Sequence, residues 1–258
     1  MTMPDFPVSF YAVTTAAILI TGIAKGGFGQ GSGGIAVPLM SIFIAPPEAA
    51  GIMLPILCAM DIFGVHAYRH SWSHKHIAIL LPGALLGIGL GALAFGSLPV
   101  NVIRAMLGVI SVTFAVNQWL RLTERIARGL ASAKGPPGRV AGTLWGAASG
   151  FTSTLAHAGG PPFAIYILAQ KIDKTLLVGT SAVFFCIINY VKLVPYYFLG
   201  QLNVGNLTAA LIFAPLAPLG VWLGVWLHRR ISHRMFFNLS YGLLLLTGLK
   251  LLYDAATR

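Results

Sequence analysis

Apolar residues in this chain come in long unbroken runs rather than in alternation. They fall at about 10–24, 35–45, 49–68, 77–97, 102–120, 140–156, 161–170, 175–199, 206–227 and 236–253. Most approach about 20 residues, the length of helix that crosses a bilayer core of about 30 Å. Lipid offers backbone groups no partner, so spanning segments must be helices or a closed barrel. A barrel requires a period of two, which these runs lack. The pattern therefore predicts an all-α integral membrane protein.

Two runs, 35–45 and 161–170, are too short to span, and each follows a glycine-rich break. The first break is Lys25-Gly26-Gly27-Phe28-Gly29-Gln30-Gly31-Ser32-Gly33-Gly34, and the second is Thr152-Ser153-Thr154-Leu155-Ala156-His157-Ala158-Gly159-Gly160-Pro161-Pro162. A shift of 126 carries Gly33-Gly34 onto Gly159-Gly160; a shift of 133 carries Pro82, Gly87 and Gly91 onto Pro215, Gly220 and Gly224. Both halves share one order: long helix, glycine break, short helix, three full spans. A repeated order of features is the mark of internal duplication.

Charge sets the expected topology. Lys and Arg number 17 against 6 Asp and Glu, for a net charge of +11. Twelve of those cations cluster at Arg69 and Lys75; at Arg121, Arg125, Arg128, Lys134 and Arg139; at Lys171 and Lys174; and at Arg229, Arg230 and Arg234. Basic loops stay in the cytoplasm, so loops 69–76, 121–139, 171–174 and 228–234 are expected on one side. That holds only if 140–170 enters and returns as a hairpin. The same hairpin in the first half puts residues 1–9 outside. The prediction is then two inverted repeats, each with a broken helix or hairpin plus three full transmembrane helices: repeat 1 at 1–122, a cytoplasmic basic loop at 123–138, and repeat 2 at 139–258. Inverted repeats with discontinuous helices meeting near the midplane are a design of secondary transporters.

Composition narrows the class further. The chain is 57% hydrophobic and 9% charged, well below the roughly 25% charged residues of a soluble domain. Its basic balance reads as positive-inside loops rather than nucleic-acid binding. Cys58 and Cys186 both lie in apolar runs and read as small buried hydrophobes, not a disulfide or metal site. Met1 to Pro7 lack a basic stretch, so no cleaved signal peptide is expected. No cofactor is implied, and a homodimer is left open.

Candidate chemistry lies at the breaks. A helix N-terminus presents free N–H groups and about half a positive charge, and glycines let a ligand approach that backbone closely. Two such ends pointing at each other form a site for a small oxyanion without a full charge. Candidate binding residues are Lys25, Gln30, Gly31, Ser32, Gly33 and Gly34 in the first break, with Thr152, Ser153, His157, Gly159 and Gly160 in the second. An imidazole at such a site donates to an anion or carries a proton, whereas serine and threonine often bond back to their own helix. Ionisable groups within spans mark pathways or relays, which makes Asp61, His66 and Lys192 coupling candidates. Under the shift of 126, His66 and Lys192 are equivalent, and Asp61 is read as a proton carrier or as a partner for Lys192 or a histidine. Asn117 and Asn189 read as interhelical hydrogen-bond formers. Glycines Gly83, Gly87, Gly91, Gly220 and Gly224 read as packing positions.

The runs Gly31-Ser32-Gly33-Gly34-Ile35-Ala36-Val37-Pro38-Leu39 and His157-Ala158-Gly159-Gly160-Pro161-Pro162-Phe163 resemble the TauE/SafE family of sulfite exporters. Chain length and tandem halves are similar too, so the resemblance covers nearly the whole chain. It departs from the family's pattern at Ser32, which interrupts the first glycine run, and at His157 and the proline pair. The resemblance implies a bacterial inner-membrane transporter of a small organosulfur anion such as sulfite or sulfoacetate. Two other readings stand beside it: a passive anion channel, and an intramembrane enzyme. The segment Gly146-Ala147-Ala148-Ser149-Gly150 loosely resembles the serine motif of rhomboid proteases. Ser149 and His157 would lie about 12 Å apart along one helix, too far for a nucleophile and its base, so no enzyme is expected.

Overall fold

The structure, a computed structural model, describes residues 6–28, 33–133, 135–227 and 233–257, and every regular element among them is helical. Helix α1 (Val8–Ile23) runs into a π-helical turn, Ala24–Phe28, followed by a 3-10 turn at Gly33–Ile35 and the short α2 (Ala36–Met40). Three long helices follow: α3 (Pro46–Tyr68), α4 (His74–Ser97) and α5 (Val100–Leu120). Next come α6 (Leu122–Ala133), α7 (Arg139–Ala156), α8 (Gly160–Ala169) and α9 (Lys174–Phe198). The chain closes with α10 (Val204–Phe213), α11 (Leu216–Leu227) and α12 (His233–Thr257). Six helices among the described residues are long and apolar enough to cross a membrane, seven if α10 and α11 count as one span bent by 43°. The chain is thus a multi-pass membrane protein.

Local sequence explains the element ends. Pro46 and Pro47 open α3, where a missing N–H costs nothing, and Glu48 complements the positive end of the helix. Asp173 and Asn203 cap α9 and α10 by accepting from the backbone N–H of Leu176 and Asn206, each at 2.9 Å. Helix α7 stops where His157 turns left-handed at φ 51°, and the Ala158 N–H returns to the Thr152 carbonyl. Pro215 in the short gap removes an N–H between α10 and α11, which accounts for their bend.

Two segments fold back as hairpins. Gln170, after α8, donates to the Pro137 carbonyl, just before α7, at 2.9 Å. The rings of Phe10, early in α1, and Phe43, after α2, lie 6.3 Å apart. Helices α3 and α9 run antiparallel between the hairpins: Gly51 presses on the Gln201 carbonyl at one end, and Gly179 presses on Ser71 at the other. The open end of α1–α2 leads directly into the start of α3, and that of α7–α8 into the start of α9. The two hairpins therefore enter from opposite ends of the α3/α9 pair.

Glycines set the closest crossings. A Cβ at Gly83 or Gly87 of α4 would strike the carbonyls of Thr143 and Ala147 of α7; a Cβ at Gly146 or Gly150 would strike those of Leu80 and Ala84. Gly91 lies against Thr154, and Gly220 of α11 lies against Gly22 of α1, 3.1 Å from its Cα to an added Cβ. These glycines work as packing positions, as their spacing suggests.

One segment departs from the sequence reading. The stretch expected as a basic loop at 123–138 is largely the helix α6, which packs on α8. Leu122, Ile126 and Leu130 recur at helical spacing among Arg121, Arg125 and Arg128, so one face is apolar and the other basic. A loop has no such periodicity. The basic stretch 228–234 falls mostly outside the described residues.

Candidate functional site

The two glycine breaks meet in the middle of the molecule. A Cβ added at Gly34 would collide with the Cβ of Ala158 and stand 3.1 Å from its Cα, so only the Ala158 methyl separates the two segments. Beside them lies a cavity of about 190 Å³. Its backbone wall includes Gly34, Ile35, Ala158 and Gly160, and its polar side chains include Lys25, Asp61, Ser153 and Asn189. Ser181 and Ser240 add hydroxyls, and the remainder is apolar, with Leu57, Phe63, Phe114 and Phe185 among it. The first turn of α8, with Gly160 and Pro161, borders this space.

Lys25 reaches the cavity from the π turn that ends α1. A π turn inserts an extra residue and re-aims its side chains. The Lys25 ammonium forms an ion pair with Asp61 of α3, whose side chain is 4% exposed against 25% for Lys25. The other oxygen of Asp61 accepts from the Asn189 amide of α9. A charge buried among apolar groups is tolerated when paired and hydrogen-bonded, and Asp61 has both. Asp61 and Asn189 each stand fifteen residues past the first residue of their helix, as Cys58 and Cys186 each stand twelve. Matching positions of α3 and α9 thus meet at one hydrogen bond.

A second cluster reaches from the cavity wall, at Ser153 and His157, to Lys192 behind it. Lys192 is fully buried, and its ammonium meets the Ser153 carbonyl at 3.1 Å, the Ser153 hydroxyl at 3.0 Å and His157 Nδ1 at 2.8 Å. His157 Nε2 lies 3.0 Å from the Ala50 carbonyl. A carbonyl only accepts, so Nε2 carries the hydrogen and Nδ1 accepts from the lysine. A second proton on His157 would face Lys192, so the two together hold at most a single positive charge. Tyr196 donates to the Thr154 carbonyl at 2.6 Å, and Ser149 to that of Gly159 at 2.8 Å, pinning the break from both sides.

The structure thus brings together Lys25, Gly34, Asp61, Ser153, His157 and Gly160, with Lys192 one layer behind. Gly159 backs onto Ser149, where a Cβ would lie 2.6 Å from the Ser149 carbonyl oxygen. Thr152 bonds back to the Ala148 carbonyl at 2.8 Å and does not line the cavity. His66 is exposed on the outer face of α3, away from the cavity. Gln30, Gly31 and Ser32 lie outside the described residues; Gly33 opens the 3-10 turn.

Two pairings differ from the sequence reading. The partner of Asp61 is Lys25, not Lys192 or a histidine. Counted from the first residues of α3 and α9, which lie 128 apart, the position that matches Lys192 is Gly64 rather than His66. Asn189, read only as an interhelical bond-former, does bridge helices but does so inside the site, and its place in an apolar run was the available signal. Asn117 also links helices, accepting from the Thr123 N–H at 2.9 Å. Ser149 and His157 are both engaged elsewhere, and no serine–base pair forms between them.

A helical bundle that spans the membrane and gathers two broken helices, an ion pair and a buried ammonium around a central cavity is the build of a membrane transporter. The family model described as Sulfite exporter TauE/SafE matches residues 14–251, nearly the whole chain. The chain belongs to this family of transporters. No curated protein and no solved structure matches it.

Proposed function

We propose that this protein is a proton-linked secondary transporter of a small sulfur-containing anion in a bacterial inner membrane. The carrying observation is the meeting of the two broken helices at a cavity that faces Lys25 and backs onto Lys192. Substrates of the expected class are sulfite, sulfoacetate or a related organosulfonate, in line with a family of sulfite exporters. The anion lies against the backbone near Gly34 and Gly160, where the start of α8 offers the Gly160 N–H and a positive dipole end; Pro161 and Pro162 carry no N–H, and that of Phe163 goes to the Gly159 carbonyl. Lys25 adds a full charge, which the sequence reading did not require. Lys192 backs the site through its bonds to Ser153 and His157.

The halves act as inverted repeats about this site. Support comes from the opposed entry of the two hairpins and from the pairing of Asp61 with Asn189 at equivalent positions. Lys75, Arg139 and Gln170 border one small hollow at the foot of the α7–α8 hairpin, which fits the placing of loops 69–76, 121–139 and 171–174 together in the cytoplasm. Alternating access then needs one set of helices to rock against the other around a fixed site.

The test is a thermal-shift screen of the purified protein with sulfite, thiosulfate, sulfoacetate and taurine. The outcome expected is stabilisation by at least one sulfur anion and none by taurine, whose amine leaves it without net charge. No shift by any anion, or an equal shift by all four compounds, contradicts the reading.

A further inference from the structure

The cation that faces the cavity is already occupied. Lys25 extends toward the open space, while Asp61 sits deeper in the wall and holds the ammonium. A carboxylate and a sulfur oxyanion are recognised alike, as oxygen acceptors on a charged donor. We propose that Asp61 is a tethered competitor for the transported anion: as a carboxylate it holds Lys25, and on taking a proton it releases Lys25 to the substrate. One proton therefore enters the site with each anion. This deepens the transporter reading above and rests on it.

The neighbours of Asp61 suit both of its forms. Asn189 donates to the carboxylate, and the same amide, turned about, offers its oxygen to a carboxylic O–H. A second arginine or lysine there would hold the carboxylate ionised. Lys192 is no substitute partner for Asp61, because Ser153 and His157 take its ammonium. Both nitrogens of His157 are engaged as well. The remaining titratable groups nearby are Cys58 on the same helix, Cys186 and Tyr190 on α9, Tyr68 at the end of α3 and Tyr241 on α12. Thiols and phenols ordinarily carry no charge at neutral pH, so they leave the exchange to Lys25 and Asp61.

The exchange also fixes the charge moved. Before binding, the cavity holds one cation and one carboxylate. Afterwards it holds the same cation, a neutral carboxyl and the anion. For a singly charged anion, proton and substrate cross together as a neutral pair; a doubly charged anion carries one net negative charge. The device answers a difficulty of any fixed lysine in a carrier, which is slow release: the returning carboxylate displaces the anion as its proton leaves.

The experiment is a titration of the full-length purified protein with methanesulfonate, whose single charge does not change with pH. For wild type, the apparent Kd rises about tenfold per pH unit wherever binding takes up one proton. Asp61→Asn, which keeps the shape without the charge, binds with no pH dependence and as tightly as wild type at low pH. Asp61→Glu keeps the slope. In proteoliposomes, wild-type methanesulfonate flux follows an imposed pH gradient and ignores an imposed potential. A flat wild-type Kd between about pH 5 and 8 with binding intact, or weaker binding by Asp61→Asn at every pH, overturns the proposal; the second result would make Asp61 a positioning residue for Lys25. Should Asp61→Asn fail to fold, the wild-type slope alone decides. If wild type binds neither methanesulfonate nor thiosulfate at any pH, the transporter reading falls first and this proposal falls with it.

Discussion

Burying the Lys192 ammonium among apolar helices requires an acceptor for each of its donors, and Ser153 and His157 supply all three. Removing one partner of such a cluster leaves the others unsatisfied, at about 1–3 kcal/mol each. Lys192→Met should therefore lower the unfolding temperature of the purified protein, measured by scanning fluorimetry, although methionine fills a similar volume. Tyr196→Phe should cost about 1 kcal/mol through its lost bond to the Thr154 carbonyl. An unchanged melting temperature in both variants would mean that these bonds do not hold the break. At this scale the sequence showed which residues were chemically unusual but not which would touch. Lys25, Asp61, His157 and Lys192 were all visible as polar groups in apolar surroundings. Their pairing was not, because Lys25–Asp61 joins segments 36 residues apart and Asp61–Asn189 joins segments 128 apart. Apolar runs give the length of a span and not the direction its faces point, so His66 stood with Asp61 among the coupling candidates.

The helix crossings depend on where glycines lie, and neighbouring positions of α4 separate packing from propensity. Gly87 presses on the Ala147 carbonyl, whereas nothing lies within 4 Å of a Cβ at Gly89. Gly87→Ala should destabilise by about 1–3 kcal/mol through overpacking. Gly89→Ala should be neutral or stabilise by up to about 1 kcal/mol, the propensity gain of alanine over glycine in a helix. Thermal unfolding in detergent compares them directly, and equal effects would remove the crossing from the account. Repeat spacing made these crossings legible in advance. It did not show that the two equivalent prolines behave differently: Pro82 lies inside a continuous α4, while Pro215 falls in the gap that bends α10 from α11. Nor did a count of basic residues reveal α6, whose signal is the spacing of Leu122, Ile126 and Leu130 rather than its charge.

The topology expected for the whole molecule rests on charge more than on hydropathy. Only a returning hairpin at 140–170 kept the basic loops together, and the bond from Gln170 to Pro137 closes such a hairpin. Leu252 near the end of α12 packs against Gly108 in α5, and α5 begins at the end away from Lys75 and Arg139. Both chain ends are accordingly predicted to lie outside the cytoplasm. A C-terminal alkaline phosphatase fusion should be active and a C-terminal fluorescent-protein fusion dark; the reverse pattern would remove the inverted arrangement. On the proposed reading, transport depends on backbone access at the breaks, where Gly160 borders the cavity at the start of α8. The most direct measurement is uptake of radiolabelled sulfite into proteoliposomes under an inward proton gradient, comparing wild type with Gly160→Val. Wild type should accumulate sulfite above protein-free vesicles only while the gradient lasts, and Gly160→Val, purified as an intact monodisperse protein, should not. Wild-type uptake indistinguishable from empty vesicles, or a Gly160→Val variant as active as wild type, would contradict a transport site built on the two broken helices.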